Sequence, residues 1–167
     1  MHYRFTLQER GNSWVYVICF GKDTPWEIKD FATYSDNSFS AEDAQHVRHF
    51  VFYKAGKLVS IHLLDALRLL PGLEPDRPET IRAPAMHAVM FGNPPVPSLL
   101  LQFTPEPPDN RTAILIGPGV FLVYQGNALS QLYVTNVYNT IPDMAHDAGA
   151  PPPPPSAPAK KAWWKFW

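Results

Sequence analysis

Short apolar runs separated by glycine and proline limit what the second half of this chain can fold into. Five such runs, rich in β-branched, aromatic and leucine side chains, occupy residues 85–91, 99–104, 112–116, 120–124 and 129–137. The segments between them, among them Gly117-Pro118-Gly119 and Gly126-Asn127, carry residues that tight turns require. Parallel neighbours need crossovers of about a dozen residues or more, and these segments are shorter. The pattern therefore predicts strands that pair in an antiparallel manner.

The first 37 residues begin with the same strand pattern and then lose it. Residues 3–8 and 13–20 are expected to form two strands joined at Gly11-Asn12, because the second run is dense in β-branched and aromatic residues. Residues 23–37 are polar and rich in turn formers, which predicts a loop. Three aromatic side chains are expected to anchor this loop to the core: Trp26, Phe31 and Tyr34.

A helix is predicted to begin at Ser40. This serine fits an N-cap position, and Glu42 and Asp43 would place two acids in the first turn, where the helix dipole favours them. The helix is expected over residues 41–47. An extension as far as Gly56, a plausible helix stop, is the alternative.

A β-hairpin competes with that extension. Residues 49–54 and 57–61 flank Ala55-Gly56, which can form a two-residue turn between strands. We favour the hairpin directly after the short helix. A second helix is then expected over residues 61–70, and Pro71-Gly72 would end it.

These elements together indicate an α+β fold, in which a mostly antiparallel sheet packs against one or two helices. We expect a single domain of this kind over residues 1–142. A proline-rich linker over residues 143–159 follows, extended or disordered, and a basic, tryptophan-rich terminal peptide occupies residues 160–167. No internal repeat is evident in the sequence.

No metal or cofactor site is predicted. His46, His49 and His62 lie close together in the sequence, but a zinc site needs three or four convergent ligands, and the chain contains neither a His-Glu-x-x-His motif nor a second cysteine. We interpret these histidines as surface or core residues. Gly117-Pro118-Gly119 is too short for a nucleotide-binding loop and lacks a following lysine, so it is interpreted as a tight turn.

No catalytic constellation is evident either. Cys19 lies within the apolar run Val17-Ile18-Cys19-Phe20, which predicts a buried core thiol rather than a nucleophile. The acidic pair Glu42-Asp43 is explained by the start of a helix, and the acids in residues 74–79 by a solvated loop. A small enzyme with scattered catalytic residues stays open as a second alternative.

The tail begins with a proline-rich segment. Residues 151–155 are five consecutive prolines, and Pro158 follows. Consecutive prolines favour polyproline II, which rises about 3.1 Å per residue, so residues 151–158 would project the end of the chain by roughly 25 Å. The sequence therefore predicts a stiff spacer.

The last eight residues combine aromatic side chains with positive charge. They include four large aromatic rings and three lysines, and removing those three charges from the net charge of −1 leaves −4 on the rest of the chain. Tryptophan is enriched at the centres of protein interfaces. The residues expected to contact a partner are Lys160, Lys161, Trp163, Trp164, Lys165, Phe166 and Trp167.

The sequence thus predicts a non-enzymatic adaptor or structural subunit of a larger assembly that docks another protein through this terminal peptide. An anionic membrane surface is the alternative target, and the body of the protein or of a neighbouring copy is a third. Nucleic acid is disfavoured by the acidic body. Without an evident signal peptide or an apolar span of about eighteen residues, we expect a cytoplasmic location or one within a macromolecular assembly.

Overall fold

Two antiparallel five-stranded sheets make up the fold in a computed structural model, which describes residues 1–105 and 110–143. The first sheet contains β1 (Tyr3–Arg10), β2 (Ser13–Phe20), β3 (Asn37–Glu42), β4 (Arg48–Lys54) and β5 (Lys57–Leu64). The second contains β6 (Ala85–Phe91), β7 (Val96–Gln102), β8 (Arg111–Gly117), β9 (Val120–Gln125) and β10 (Ala128–Thr135). Three short helices accompany them: α1 (Phe31–Tyr34), α2 (Ala66–Leu69) and α3 (Val137–Thr140).

The predicted antiparallel pairing is confirmed, but the α+β class is wrong, because the fold is largely β. Each α-helix in the described part of the chain has only four residues. A helix of one turn barely offsets the cost of its own nucleation, so these turns depend on the sheets for their order. They lie in the connections that follow strands, and they are too short to form a helical layer.

The predicted helix over residues 41–47 is wrong. Residues before Asp43 belong to β3, and the segment after it is a turn in which the Asp43 Oδ1 atom accepts the backbone N–H groups of Gln45 at 2.8 Å and Val47 at 3.1 Å. An aspartate can cap the backbone N–H groups of a turn as well as those of a helix start, so the sequence pattern fits both structures.

The hairpin around Ala55-Gly56 is confirmed, with positive φ angles of 49° and 73° at the two turn residues. The predicted helix over residues 61–70 is wrong for its first half. Residues 61–64 complete β5, and helix α2 starts only after Asp65, whose left-handed backbone breaks the strand. The β-branched and leucine residues here suit either structure, and pairing with β2 and β4 decides between them.

Two of the three aromatic side chains that were expected to anchor the loop before β3 do so. Phe31 is fully buried and Tyr34 half-buried, as expected for anchors, whereas the indole of Trp26 is 54% exposed and does not anchor the loop. The linker expected over residues 143–159, apart from Asp143, lies outside the described residues. The terminal peptide over residues 160–167 lies wholly outside them.

The two sheets share one topology. The strand order is β1-β2-β5-β4-β3 in the first and β6-β7-β10-β9-β8 in the second, so each strand has its counterpart five strands later. Each half is a hairpin followed by a three-stranded meander, and each ends with a left-handed residue, Asp65 or Asn136, before a one-turn helix. We call residues 3–71 and 85–142 the first and second repeat.

The repeat is visible in the sequence once the strands are known. Residues 48–71 align without a gap on residues 119–142, and four positions then carry the same residue: Phe50 and Phe121, Tyr53 and Tyr124, Leu58 and Leu129, and Pro71 and Pro142. Both meanders also carry a bulge at the equivalent residue, Val59 or Ser130. Alternating apolar residues occur in any half-buried strand, so this weak identity could not reveal the repeat in advance.

The core lies between the two sheets. Its largest buried cluster takes side chains from both repeats, including Tyr16 and Ile61 from the first and Leu101 and Leu132 from the second. The edge strand β8 packs against β3 and β4 where Gly117 faces Phe39 and Val51, and a Cβ atom on Gly117 would lie 2.2 Å from the Val51 Cγ2 atom. This glycine therefore lets the two repeats approach each other.

Candidate functional site

The terminal residues predicted to contact a partner lie outside the described residues. Three features of the described body are candidates for function. They are a buried polar network around Asp43, a cleft beside the last described residue, and the outer face of the second sheet.

Asp43 is the centre of the buried network. While its Oδ1 atom accepts two backbone N–H groups, its Oδ2 atom accepts hydrogen bonds from the Arg68 guanidinium and, at 3.1 Å, from the His49 ring. Burial opposes ionisation of this carboxyl, but the hydrogen bonds outweigh burial and lower its pKa to about 2. Asp43 is therefore a stable buried carboxylate.

His49 is held as a neutral ring with a proton on Nε2. Its Nδ1 atom lies 3.2 Å from the Leu64 backbone N–H, which donates to it, so the proton belongs on the other nitrogen. That Nε2 atom lies 3.1 Å from both the Asp43 carboxylate and the Tyr124 hydroxyl. Burial lowers the pKa of His49, although Asp43 acts in the opposite direction.

A histidine paired with an aspartate is the arrangement of many general bases, but this pair is closed to a substrate. The side chains of His49 and Asp43 are 0% and 2% exposed, and the ring nitrogen that could accept a proton, Nδ1, already accepts the Leu64 backbone N–H. Arg68 also donates to the backbone carbonyl of Asn127 at 3.1 Å. The network thus joins the turn after β3 to α2 and to the hairpin of the second repeat.

A simpler contact occupies the equivalent place at the other end of the molecule. Tyr53, the counterpart of Tyr124, donates its hydroxyl to the Pro118 carbonyl at 2.8 Å, in the turn between β8 and β9. Each tyrosine therefore reaches across to the meander turn of the opposite repeat. Because the hydroxyl of Tyr53 binds a backbone carbonyl, the charged network around Asp43 has no counterpart at this end of the described residues.

The remaining candidate ligands are dispersed. His46 is exposed at a turn with a positive φ of 58°, while His62 is buried between the rings of Phe31 and Phe52. No three of the histidine, cysteine, aspartate and glutamate side chains in the described ranges form a group that could hold a metal ion. Cys19 is buried, as predicted, and burial raises the pKa of its thiol.

A shallow cleft of about 170 Å³ lies where the described chain ends. Asp143 and Pro142 line it together with residues of the first repeat, among them Tyr34, Lys54 and Val59. Lys54 lies over the Tyr34 ring, 3.8 Å from its centroid, and this cation–π contact occupies both side chains. The cleft therefore marks where the tail leaves the body, on the side of the first sheet.

The outer face of the second sheet carries an apolar patch beside polar residues that include Gln102 and Gln131. One cross-strand row runs over all five strands through His87, Leu100, Tyr133, Phe121 and Leu115. Phe91 lies across this row, with its ring centroid 5.2 Å from that of Tyr133 and 5.5 Å from that of Phe121. Leu115 is 55% exposed. We call Phe91, Leu100, Leu115, Phe121 and Tyr133 the second-sheet face.

The corresponding row of the first sheet runs through Thr6, Val17, His62, Phe50 and Ser40, and it is covered. The 16-residue connection between β2 and β3, residues 21–36, folds over it and places Phe31 against His62 with ring centroids 4.7 Å apart. The connection between β7 and β8 has only eight residues, 103–110. Among the described residues, a buried outer-face cluster forms only on the first sheet.

The distribution of charged residues along the sequence points to this face, although no motif does. Residues 1–84 include 21 aspartate, glutamate, lysine and arginine residues, whereas residues 85–143 include four, namely Glu106, Asp109, Arg111 and Asp143. A half-buried antiparallel sheet normally alternates apolar and polar side chains. A repeat that is almost free of charge therefore indicates that its outer face carries few charged side chains.

No helix in residues 1–105 and 110–143 has the length and apolar character needed to cross a membrane. Comparison of the chain with protein-family models, with curated proteins and with solved structures finds no match.

Proposed function

We propose that this chain is a non-enzymatic adaptor or structural subunit that docks another protein through its terminal peptide, residues 160–167. The observation that carries the proposal is the composition of that peptide, in which four large aromatic rings and three lysines follow a run of five prolines. Rings of this size favour burial, and exposed apolar patches mark contact sites.

The position at which the tail leaves the body supports the proposal. Asp143 lies at a surface cleft and not in the core, so the residues after it start at the surface of the body. The proline run then acts as a spacer that holds the aromatic tip away from the first sheet. Because such a spacer is already extended, it loses less conformational entropy on docking than a flexible linker would.

The polar groups of the body support it in a different way. Asp43, whose pKa is lowered to about 2, accepts hydrogen bonds from four donors, and its buried histidine partner accepts the Leu64 backbone N–H at its other ring nitrogen. Both side chains are used to hold the repeats together. The outer face of the second sheet, in contrast, offers an apolar surface of the kind that binds other proteins.

The test is a matched set of full-length variants. Replacing the four rings by alanine (W163A, W164A, F166A and W167A) is expected to abolish recovery of a partner in quantitative affinity capture, whereas replacing the three lysines by glutamine is expected to weaken it by about tenfold at most. Circular dichroism checks that the fold is unchanged. Equal recovery with the wild-type chain and the aromatic variant would overturn the proposal.

A membrane interface is the second candidate, because tryptophan and lysine together suit the headgroup region of anionic lipid. Flotation with vesicles of phosphatidylserine and phosphatidylcholine separates the two functions. Flotation that needs the terminal peptide and disappears at high salt would favour the membrane, since attraction to anionic lipid is screened by salt. Absence of flotation would favour a protein groove.

A further inference from the structure

The second-sheet face has the chemistry of a docking surface for aromatic side chains. Leu100 is buried at its centre, Phe91, Phe121 and Tyr133 lie half-buried around it, and Leu115 is exposed at the β8 edge. The repeat that carries it has few charged residues, although Arg111 is close enough to Tyr133 to affect the pKa of its hydroxyl. An occupant therefore gains little from charge and has to be recognised by apolar and aromatic contact.

The first sheet shows what covers such a face in this fold. There, residues 21–36 place Phe31 over the outer row, with its ring centroid 5.5 Å from that of Phe52 and 4.7 Å from that of His62. The connection in the second repeat is half as long, and its one aromatic residue, Phe103, packs against Tyr16 in the core instead. Aromatic side chains from elsewhere are thus the natural substitute.

The same chain carries such side chains. We propose that the second-sheet face of one copy binds the terminal peptide, residues 160–167, of another copy. This inference rests on the proposed function and names its partner as a second copy of this chain. The aromatic residues Trp163, Trp164, Phe166 and Trp167 pack against the face, while the three lysines stay at its rim in solvent.

The position of the tail explains why the partner is another copy. The inner faces of the two sheets share the core, so their outer faces point in opposite directions. The described chain ends in a cleft lined by Tyr34 and Val59, two residues of the covered outer face of the first sheet. The tail therefore starts on the side of the molecule opposite to its own second-sheet face.

This contact is heterologous, because a tip on one side of the molecule meets a face on the other side of the next. Each copy then offers one tip and one face, and the association continues head to tail as a closed ring or an open chain. Such growth suits a structural subunit.

The experiment compares full-length chains by sedimentation velocity over a wide range of concentrations. The wild-type chain is expected to associate as its concentration rises. Leu115→Lys places a charge on the face and is expected to raise the apparent dissociation constant by about tenfold or more. Leu67→Lys is the matched control, because Leu67 is a similarly exposed leucine, at 41%, on α2, and it is expected to associate like the wild type.

A mixture gives the sharpest result. A chain that lacks residues 160–167 keeps its face, and the Leu115→Lys chain keeps its tip. The truncated chain is expected not to associate alone and the Leu115→Lys chain only more weakly than the wild type, whereas an equimolar mixture forms a heterodimer with an apparent dissociation constant close to that of the wild type. Association of the truncated chain alone, a wild-type chain that is monomeric throughout, or a Leu115→Lys chain that associates like the wild type would each overturn the inference.

These outcomes are separate from those of the proposed function. If the full-length chain is monomeric but the aromatic tip still recovers a different protein, the second copy is the wrong partner and the adaptor function stands. If the aromatic variant changes neither self-association nor recovery of other proteins, both proposals fail.

Discussion

The two repeats have the same strand order but cover their outer faces differently. In the first repeat a 16-residue connection lies over the sheet, and its outer row ends in the polar residues Thr6 and Ser40. In the second repeat the connection has eight residues, and the equivalent row ends in His87 at one edge and in Leu115 at the other. The row of the first repeat is thus polar at both ends, whereas that of the second is polar at one end and apolar at the other. This difference supports the proposed role of the second-sheet face as a docking surface.

The largest expected effect comes from breaking the network that only the first repeat possesses. Asp43→Asn is expected to lower the free energy of unfolding by about 4 kcal/mol, because the amide NH₂ would face the Arg68 and His49 donors. Denaturation in guanidinium measures the change. Asp65→Asn is the control, since Asp65 also pairs with Arg68 but is 43% exposed, and its loss is expected to cost less than about 1 kcal/mol. Equal costs for the two variants would show that the network contributes no special stability.

The second effect concerns acid sensitivity of the covered face. Burial, with a smaller contribution from Arg10, lowers the pKa of His62 to about 3 from an ordinary value of 6.5. Between these pH values the unfolded chain binds one proton more than the folded chain, so stability is fully present above pH 6.5 and is lost as the pH falls toward 3. The loss is expected to reach about 3 kcal/mol by pH 4.

His62→Phe tests this, because Tyr133 fills the equivalent position in the second repeat without titrating in that range. The variant is expected to remove the share of the loss between pH 7 and pH 4 that His62 contributes and to leave the share of His49, whose pKa burial also lowers; thermal unfolding at each pH measures the difference. His46→Gln, at an exposed turn, is expected to leave the profile unchanged. An unaltered profile in His62→Phe would contradict the assignment.

A third change tests where the repeats meet. Gly117→Val is expected to destabilise the fold by about 2 kcal/mol, because a Cβ atom there would lie 2.2 Å from the Val51 Cγ2 atom. The double variant Gly117→Val with Val51→Ala is expected to lose less than the sum of the two single changes. Strict additivity in this cycle would mean that the two residues do not limit the approach of the sheets.

The smallest expected effect comes from replacing either of the two equivalent tyrosines. Tyr53→Phe and Tyr124→Phe each remove one hydroxyl that spans the repeats, and each is expected to cost about 1 kcal/mol. Tyr124→Phe should cost more, since its hydroxyl contacts the buried His49 and Asp43 pair, whereas that of Tyr53 binds a single carbonyl. A larger loss from Tyr53→Phe in urea denaturation would reverse this ranking of the two ends.

Much of the sheet structure could be predicted, because it depends on local patterns. The five strands of the second repeat follow from apolar runs between turn residues, and the turn at Ala55-Gly56 follows from its residue types. The helix expected at residues 41–47 could not be distinguished from a turn, since Asp43 caps backbone N–H groups in either case. The candidate face was missed because a single leucine such as Leu115 carries no motif.

By itself, the sequence determined the antiparallel strands, the buried thiol of Cys19 and the aromatic, basic composition of residues 160–167. Only the tertiary structure decided that the strands divide into two repeats of one topology and that the His49 ring contacts the hydroxyl of Tyr124, a residue 75 positions away. It also decided which outer face is covered. Local sequence fixes which residues alternate along a strand, but strand order and the side of a sheet on which a connection lies depend on contacts between distant segments.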